Sequence, residues 1–238
     1  MPQGPIHDYT VRRSDRARRA RLTVTETGEA VVVLPRRAPL REAAMLVEQH
    51  ADWLERHITR VRLDRSRLAD RPALGEGRSL LIAGEPTRIR AVDAGPARRV
   101  RGRVEVVLGG LIVRLGRDGR DSAALLDAWL RQQARSLIGQ RVAARAIEMS
   151  VRPGRITIRD QSSRWASASR DGSLSFSWRL ILAPPFVLDA VVVHELAHLR
   201  VRGHDSAFWS LAREHAPRTA EARRWLREHA REVRAALD

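Results

Sequence analysis

Three histidines and a glutamate, His194, Glu195, His198 and His204, fall within eleven residues in the stretch "VVVHELAHLRVRGHDSAFW", Val191 to Trp209. In a helix, residues four apart differ by about 40° of rotation and one turn of rise, so His194 and His198 aim both imidazoles at one place. That is half of a tetrahedral zinc site. Glu195 is turned about 100° from His194, close enough to reach a water on such a metal without becoming a ligand. Gly203 lets the chain leave the helix and turn back, so His204 is expected to bring the third nitrogen. Three neutral nitrogens leave a fourth position open, which is the pattern of a catalytic rather than a structural zinc. Zinc in such a site lowers the pKa of water to about 7 and polarises a carbonyl while a carboxylate takes the proton, a division of labour that fits amide hydrolysis. The competing reading is a core helix whose histidines hydrogen-bond internally. It leaves three polar rings and a carboxylate to find partners inside an apolar run.

These residues need a scaffold. Pro184 and Pro185 end a strand read over "SLSFSWRLIL" (173–182) and start the histidine helix, with Gly203 as its stop. A second strand is read over "RITIRD" (155–160). Lying directly before the histidine helix, the segment "SLSFSW" is expected to border the cleft and to pair with an extended substrate. Upstream, from Ser122, Leu126, Leu130, Ala134, Ile138, Val142 and Ala146 recur four apart, a stripe that buries one face of a long helix. Earlier still, residues 18–34 read as a hairpin turning at Gly28, and Pro39 opens one long helical stretch with Leu46, Leu54, Ile58 and Val61. Short strands follow at "RSLLIAG", "TRIRAV", "RVEVVLG" and "LIVRLG", and a last helix turns Trp225, Leu226, Ala230 and Val233 inward. Strands and helices in blocks predict an α+β fold. We expect a β-rich part with one long helix over residues 1–120 and a helical catalytic part with a small sheet over 121–238, or one continuous domain over about residues 18–235.

A chain of 238 residues with no cysteine excludes disulfides and thiolate metal sites. The net charge of +16 comes from 44 arginines without a single lysine, spread along the chain in short runs. With aromatics at only 4%, interleaved stacking platforms for single strands are not expected, and the charge implies at most weak nucleic-acid binding. The opening "MPQGPIHDYTVRRSDRARRA" has no apolar core for a signal peptide, and no stretch reaches the roughly 18 apolar residues that span a bilayer. The reading is therefore a soluble, cytoplasmic protein with no membrane partner.

Beyond the motif, "SRWASASRDGSLSFSWRLILAPPFVLDAVVVHELAHLRVRGHDSAFW" (Ser163–Trp209) resembles the YgjP-like metallopeptidase domain, a family of zincin fold. Its pattern is an Arg-Trp-Gly-Ser-Cys loop, a strand ending Asn-Trp-Arg-Leu, a helix H-E-L-x-H, a third histidine, and Phe-Trp. The resemblance implies a zincin-like α+β fold, zinc (Zn2+) held by His194, His198 and His204, Glu195 as general base, and a peptide or protein substrate. It also implies that Phe208 and Trp209 pack behind the third ligand. Two positions depart from the pattern: Ala166, Ser167 and Ala168 replace Gly-Ser-Cys, and Ser177 replaces the asparagine. The motif is shared with SprT-like proteases, which act on proteins crosslinked to DNA, so that activity stands as an alternative. A third reading is a non-catalytic, zinc-stabilised adaptor, against which the intact Glu195 argues.

Outside the motif, Arg164 is a candidate for binding a substrate carboxylate or a developing oxyanion, with pairing to Asp160 or another acid as the structural alternative. Asp205 could orient an imidazole. Trp165, Trp178, His50, His57, His215 and His229 read as packing or surface residues.

Overall fold

The computed structural model describes residues 8–25, 27–93, 101–161 and 164–238. The chain divides into two compact units, Met1–Arg71 and Pro72–Asp238. A boundary at residue 120 therefore falls inside the second unit.

In the first unit, strands β1 (Tyr9–Ser14), β2 (Arg21–Val24) and β3 (Ala30–Pro35) form a sheet in the order β1-β3-β2. The β2–β3 hairpin lies where expected, with Gly28 at φ +86° in its turn, a backbone region that favours glycine. Alternation along β3 buries Ala30, Val32 and Leu34. Strand β1, which pairs parallel with β3, carries two arginines and a serine in six residues and was not legible as a strand. The single helical stretch expected after Pro39 is two helices, α1 (Arg41–Gln49) and α2 (Ala51–Ala69), because His50 at φ −119° breaks the run. They bury Ala43, Val47 and Leu54 with the sheet.

The second unit opens with the four expected strands, β4 (Glu76–Ile82), β5 (Glu85–Val92), β6 (Arg103–Val107) and β7 (Gly110–Arg114), in the order β4-β5-β7-β6. Helix α3 (Ser122–Glu148) follows, its N-terminus capped by Asp121, which accepts the Ala124 N–H at 2.8 Å. The stripe from Leu126 to Ala146 is buried throughout, so the four-residue spacing translates into the helix face that carries the core.

A second, three-stranded sheet holds β8 (Ile156–Arg159), β9 (Ala166–Ala168) and β10 (Leu174–Ser177), in the order β8-β10-β9. Strand β10 is thus the central one, parallel to β8 and antiparallel to β9. This overturns the expectation that "SLSFSW" offers a free edge to a substrate: both its edges are taken, and Leu174 and Phe176 are buried. The strand also stops at Ser177. Residues Trp178–Leu182 form a 3₁₀ turn, begun by the Ser177 hydroxyl accepting the Arg179 N–H at 3.3 Å. Ser177 therefore performs at a turn the capping task that an asparagine performs equally well.

Helices α4 (Pro185–Ala197), α5 (Ser206–His215) and α6 (Thr219–Arg234) complete the unit. Helix α4 is largely apolar, with Val187, Val192, Val193, Leu196 and Ala197 fully enclosed. Asp189 ties it to α3 through a two-pronged pair with Arg145, whose Nε lies 2.9 Å from Oδ1. Among the described residues no helix is long and apolar enough to cross a membrane.

Candidate metal centre

Helix α4 delivers His194 and Glu195 on its last turn and ends at His198. The expected stop at Gly203 is not used: the last helical turn closes with the Val201 N–H on the Ala197 carbonyl at 2.9 Å. Gly203 has no positive φ, and a Cβ there would meet nothing within 4 Å, so no steric demand for glycine exists. What brings His204 back is the start of α5. Asp205 caps it by accepting the Phe208 N–H at 2.9 Å, which is the task of that carboxylate rather than orienting an imidazole.

The three imidazoles converge. Their metal-binding atoms lie within 4.8 Å of one another, and the Nε2 atoms of His194 and His204 are 3.1 Å apart. A tetrahedral zinc with bonds of about 2.0–2.1 Å spaces its ligand nitrogens roughly 3.3 Å apart, close to the His194–His204 separation, and three imidazoles are a donor set of the type zinc takes. The His198 Nδ1 lies 3.2 Å from the Val201 carbonyl, an arrangement in which Nδ1–H donates and Nε2 keeps its lone pair for the site. Beneath the cluster, the fully buried Phe208 ring sits 4.8 Å from His194, 4.6 Å from His198 and 4.7 Å from His204. Trp209 stacks on His204 at 5.6 Å from the outer side. The aromatic pair thus packs against the histidines as the motif suggested.

Electrostatics favour the metal-binding forms. Burial, followed by the charges of His198, His204 and Arg223, pushes the His194 pKa down to about 4. Burial also lowers His198. Both rings are neutral near pH 7, the form a metal requires. Glu195 is only 6% exposed, and burial raises its carboxyl to about 7 despite a hydrogen bond from the Ala168 N–H and the charge of Arg164. Among the described residues, the carboxylate stands outside the set of converging metal donors. The Ala166–Ala168 departure thus becomes strand β9, and it serves Glu195 through a backbone N–H that any side chain would leave in place.

A cavity of ≈ 310 Å³ opens beside these groups and is walled by α4, α6 and the segment entering β9. Arg164 lines it next to His194 and Glu195. Asp160, its expected acidic partner, is instead held by Arg179 at 2.8 Å and Arg131 at 3.2 Å. Arg223 of α6 lines the same cavity. Sequence reasoning passed over it, although the inward positions Thr219, Ala222 and Leu226 put residue 223 at the edge of the buried face. Among the described residues no other histidine belongs to the converging set: His57 stacks on Trp53 at 4.2 Å, and His229 stacks on Trp225 at 4.2 Å.

Among known families, the model described as YgjP-like, metallopeptidase domain, matches the chain over residues 18–229. No curated protein and no solved structure matches the chain.

Proposed function

The chain belongs to the YgjP-like metallopeptidase domain family, and from that premise we propose a zinc-dependent peptidase in which His194, His198 and His204 hold the metal and Glu195 handles the proton. The observation that carries this reading is the division of the site. Three imidazoles converge on one point, while a buried carboxylate one residue away stays out of the converging set. A structural site has no use for that carboxylate.

When bound, a zinc ion supplies Lewis acidity, activating water and polarising the carbonyl of the scissile amide. The chain's own residues do the rest. Glu195, raised toward neutrality by burial, accepts a proton from the attacking water and returns it to the leaving amine. The Ala168 N–H favours the charged form of that carboxylate, and the Val201 carbonyl accepts from the His198 Nδ1–H, which leaves Nε2 for the site.

Strand β9 is the substrate-facing edge in this reading. The Trp165 carbonyl accepts from Ser177, the Ser169 N–H donates to Ser173, and Ser167 pairs with Ser175, so these three residues face β10. By antiparallel alternation, Ala166 and Ala168 turn their backbone groups the other way. Ala168 serves Glu195, and Ala166 is left to pair with an extended peptide. Metal analysis of the purified protein, together with cleavage of a peptide library by wild-type and Glu195→Gln proteins, tests the proposal: zinc-dependent cleavage abolished by the substitution supports it.

A further inference from the structure

The cavity beside Glu195 carries two guanidiniums, Arg164 and Arg223, against the single carboxylate of Glu195, on which the charge of Arg164 acts. Arg164 and Arg223 both line it, both are exposed at its mouth, and neither forms an ion pair with a carboxylate among the described residues. Other arginines of this unit do find acids: Arg145 pairs with Asp189, Arg179 with Asp160, and Arg218, at the start of the same helix α6, with Glu221. Arg223 lies instead over the Trp209 ring, 4.7 Å from its centre, and its charge reaches His194. A guanidinium beside a site suited to a dication is electrostatically unfavourable unless an anion joins them. The same wall includes the apolar side chains of Trp165, Val191 and Leu226. Room between α4 and α6 comes from two small residues, Ala190 and Ala222, which are 6% and 2% exposed.

Resting on the peptidase reading above, we infer that this cavity binds the residue next to the scissile bond and selects one that bears a carboxylate. The apolar wall takes the aliphatic body, and the two guanidiniums take the carboxylate in the forked geometry to which arginine is suited. At ≈ 310 Å³ the space lies at the small end of ligand pockets, about 300–1,000 Å³, which suits one residue rather than a length of chain. The carboxylate can belong to a chain terminus or to an acidic side chain. The chemistry is shared, and the test separates the two.

Three N-acetylated pentapeptides are compared, identical except at the last residue: leucine with a free carboxylate, leucine amide, and glutamate amide. The readout is kcat/KM for each carboxylate peptide relative to leucine amide, for wild-type protein and for the Arg164→Gln/Arg223→Gln double variant at equal zinc content. The inference expects at least one ratio of about 10 to 100, the range of charge-assisted hydrogen bonds, falling toward one in the double variant. Preference for free leucine alone assigns the chain terminus, and preference for glutamate amide alone assigns the side chain. Arg223→Lys, which keeps the charge and loses the fork, is expected to retain part of the preference. Ratios near one in wild-type protein, or ratios unchanged in the double variant, overturn the inference. Calorimetric binding of the same peptides to zinc-loaded Glu195→Gln protein keeps the two claims apart. Carboxylate preference in binding, with no turnover by the wild type, overturns the peptidase reading and upholds the cavity assignment; turnover without preference does the reverse.

Discussion

The Nε2 atoms of His194 and His204 lie 3.1 Å apart, one on the last turn of α4 and the other at the entrance to α5. With burial holding His194 neutral, two nitrogen lone pairs at that distance need a proton or a metal ion between them. We therefore expect one zinc per chain. His204→Ala and His198→Ala proteins should each lose the metal while keeping their helical content, since His198 is half-buried and His204 exposed. Elemental analysis beside circular dichroism checks this; a folded His198→Ala protein that retained its zinc would rule out the ligand set.

Phe208 touches all three imidazoles and is fully buried, so it links core packing to the metal centre. Phe208→Ala should cost about 3–5 kcal/mol of stability, the range for deleting a buried aromatic ring. Phe208→Leu keeps most of the packing and should instead show itself as weaker zinc retention against a chelator. Denaturant unfolding and chelator competition separate the two effects.

The buried Glu195 makes a pH-dependent prediction for metal-free protein. Its carboxyl is raised from 4.5 to about 7, so the folded state holds a proton that the unfolded state releases. Stability from that proton is complete below about pH 4.5 and is lost as pH rises through 7. Glu195→Gln does not suffer this loss, so the variant should be the more stable protein at about pH 8, by about 3 kcal/mol, with the gap closing toward pH 5. The depressed pKa of His194 acts with the opposite sign but is present in both proteins, so it largely cancels in the difference. Calorimetry at the two pH values, with chelator present, reads the gap; an equal difference at both would contradict the assignment.

Strand β9 can be probed with proline. The Ala166 N–H faces away from β10, so Ala166→Pro removes no bond of the sheet and should raise KM for extended peptides while zinc content stays unchanged. Ser167→Pro removes a donor that faces β10 and should destabilise the sheet itself. Comparable stability losses in the two variants would show that β9 is not oriented this way.

Much of this architecture could be read from local pattern. The four-residue stripe of α3 and the four-residue spacing of His194 and His198 are properties of a helix that survive any tertiary context, and both were legible. What could not be read depends on neighbours far along the chain. Three small residues, Ala166–Ala168, are too short to show alternation, so the edge strand beside Glu195 looked like a loop and β10 was wrongly given the edge. Strand β1 is polar and owes its existence to pairing with β3. The return of His204 looked like a glycine effect, whereas the Asp205 cap on α5 accomplishes it. Arg223 became visible only once α6 was laid against α4.

The central claim, that Glu195 is the proton-transferring base of a zinc peptidase, is tested most directly by turnover of Glu195→Gln at zinc occupancy matched to the wild type, near neutral pH. Glutamine is nearly the same shape as glutamate and takes no part in the histidine cluster, so metal content should be retained. The account predicts a loss of about 10² to 10⁴ in kcat, the usual contribution of a positioned general base. Equal turnover by the two proteins would contradict it.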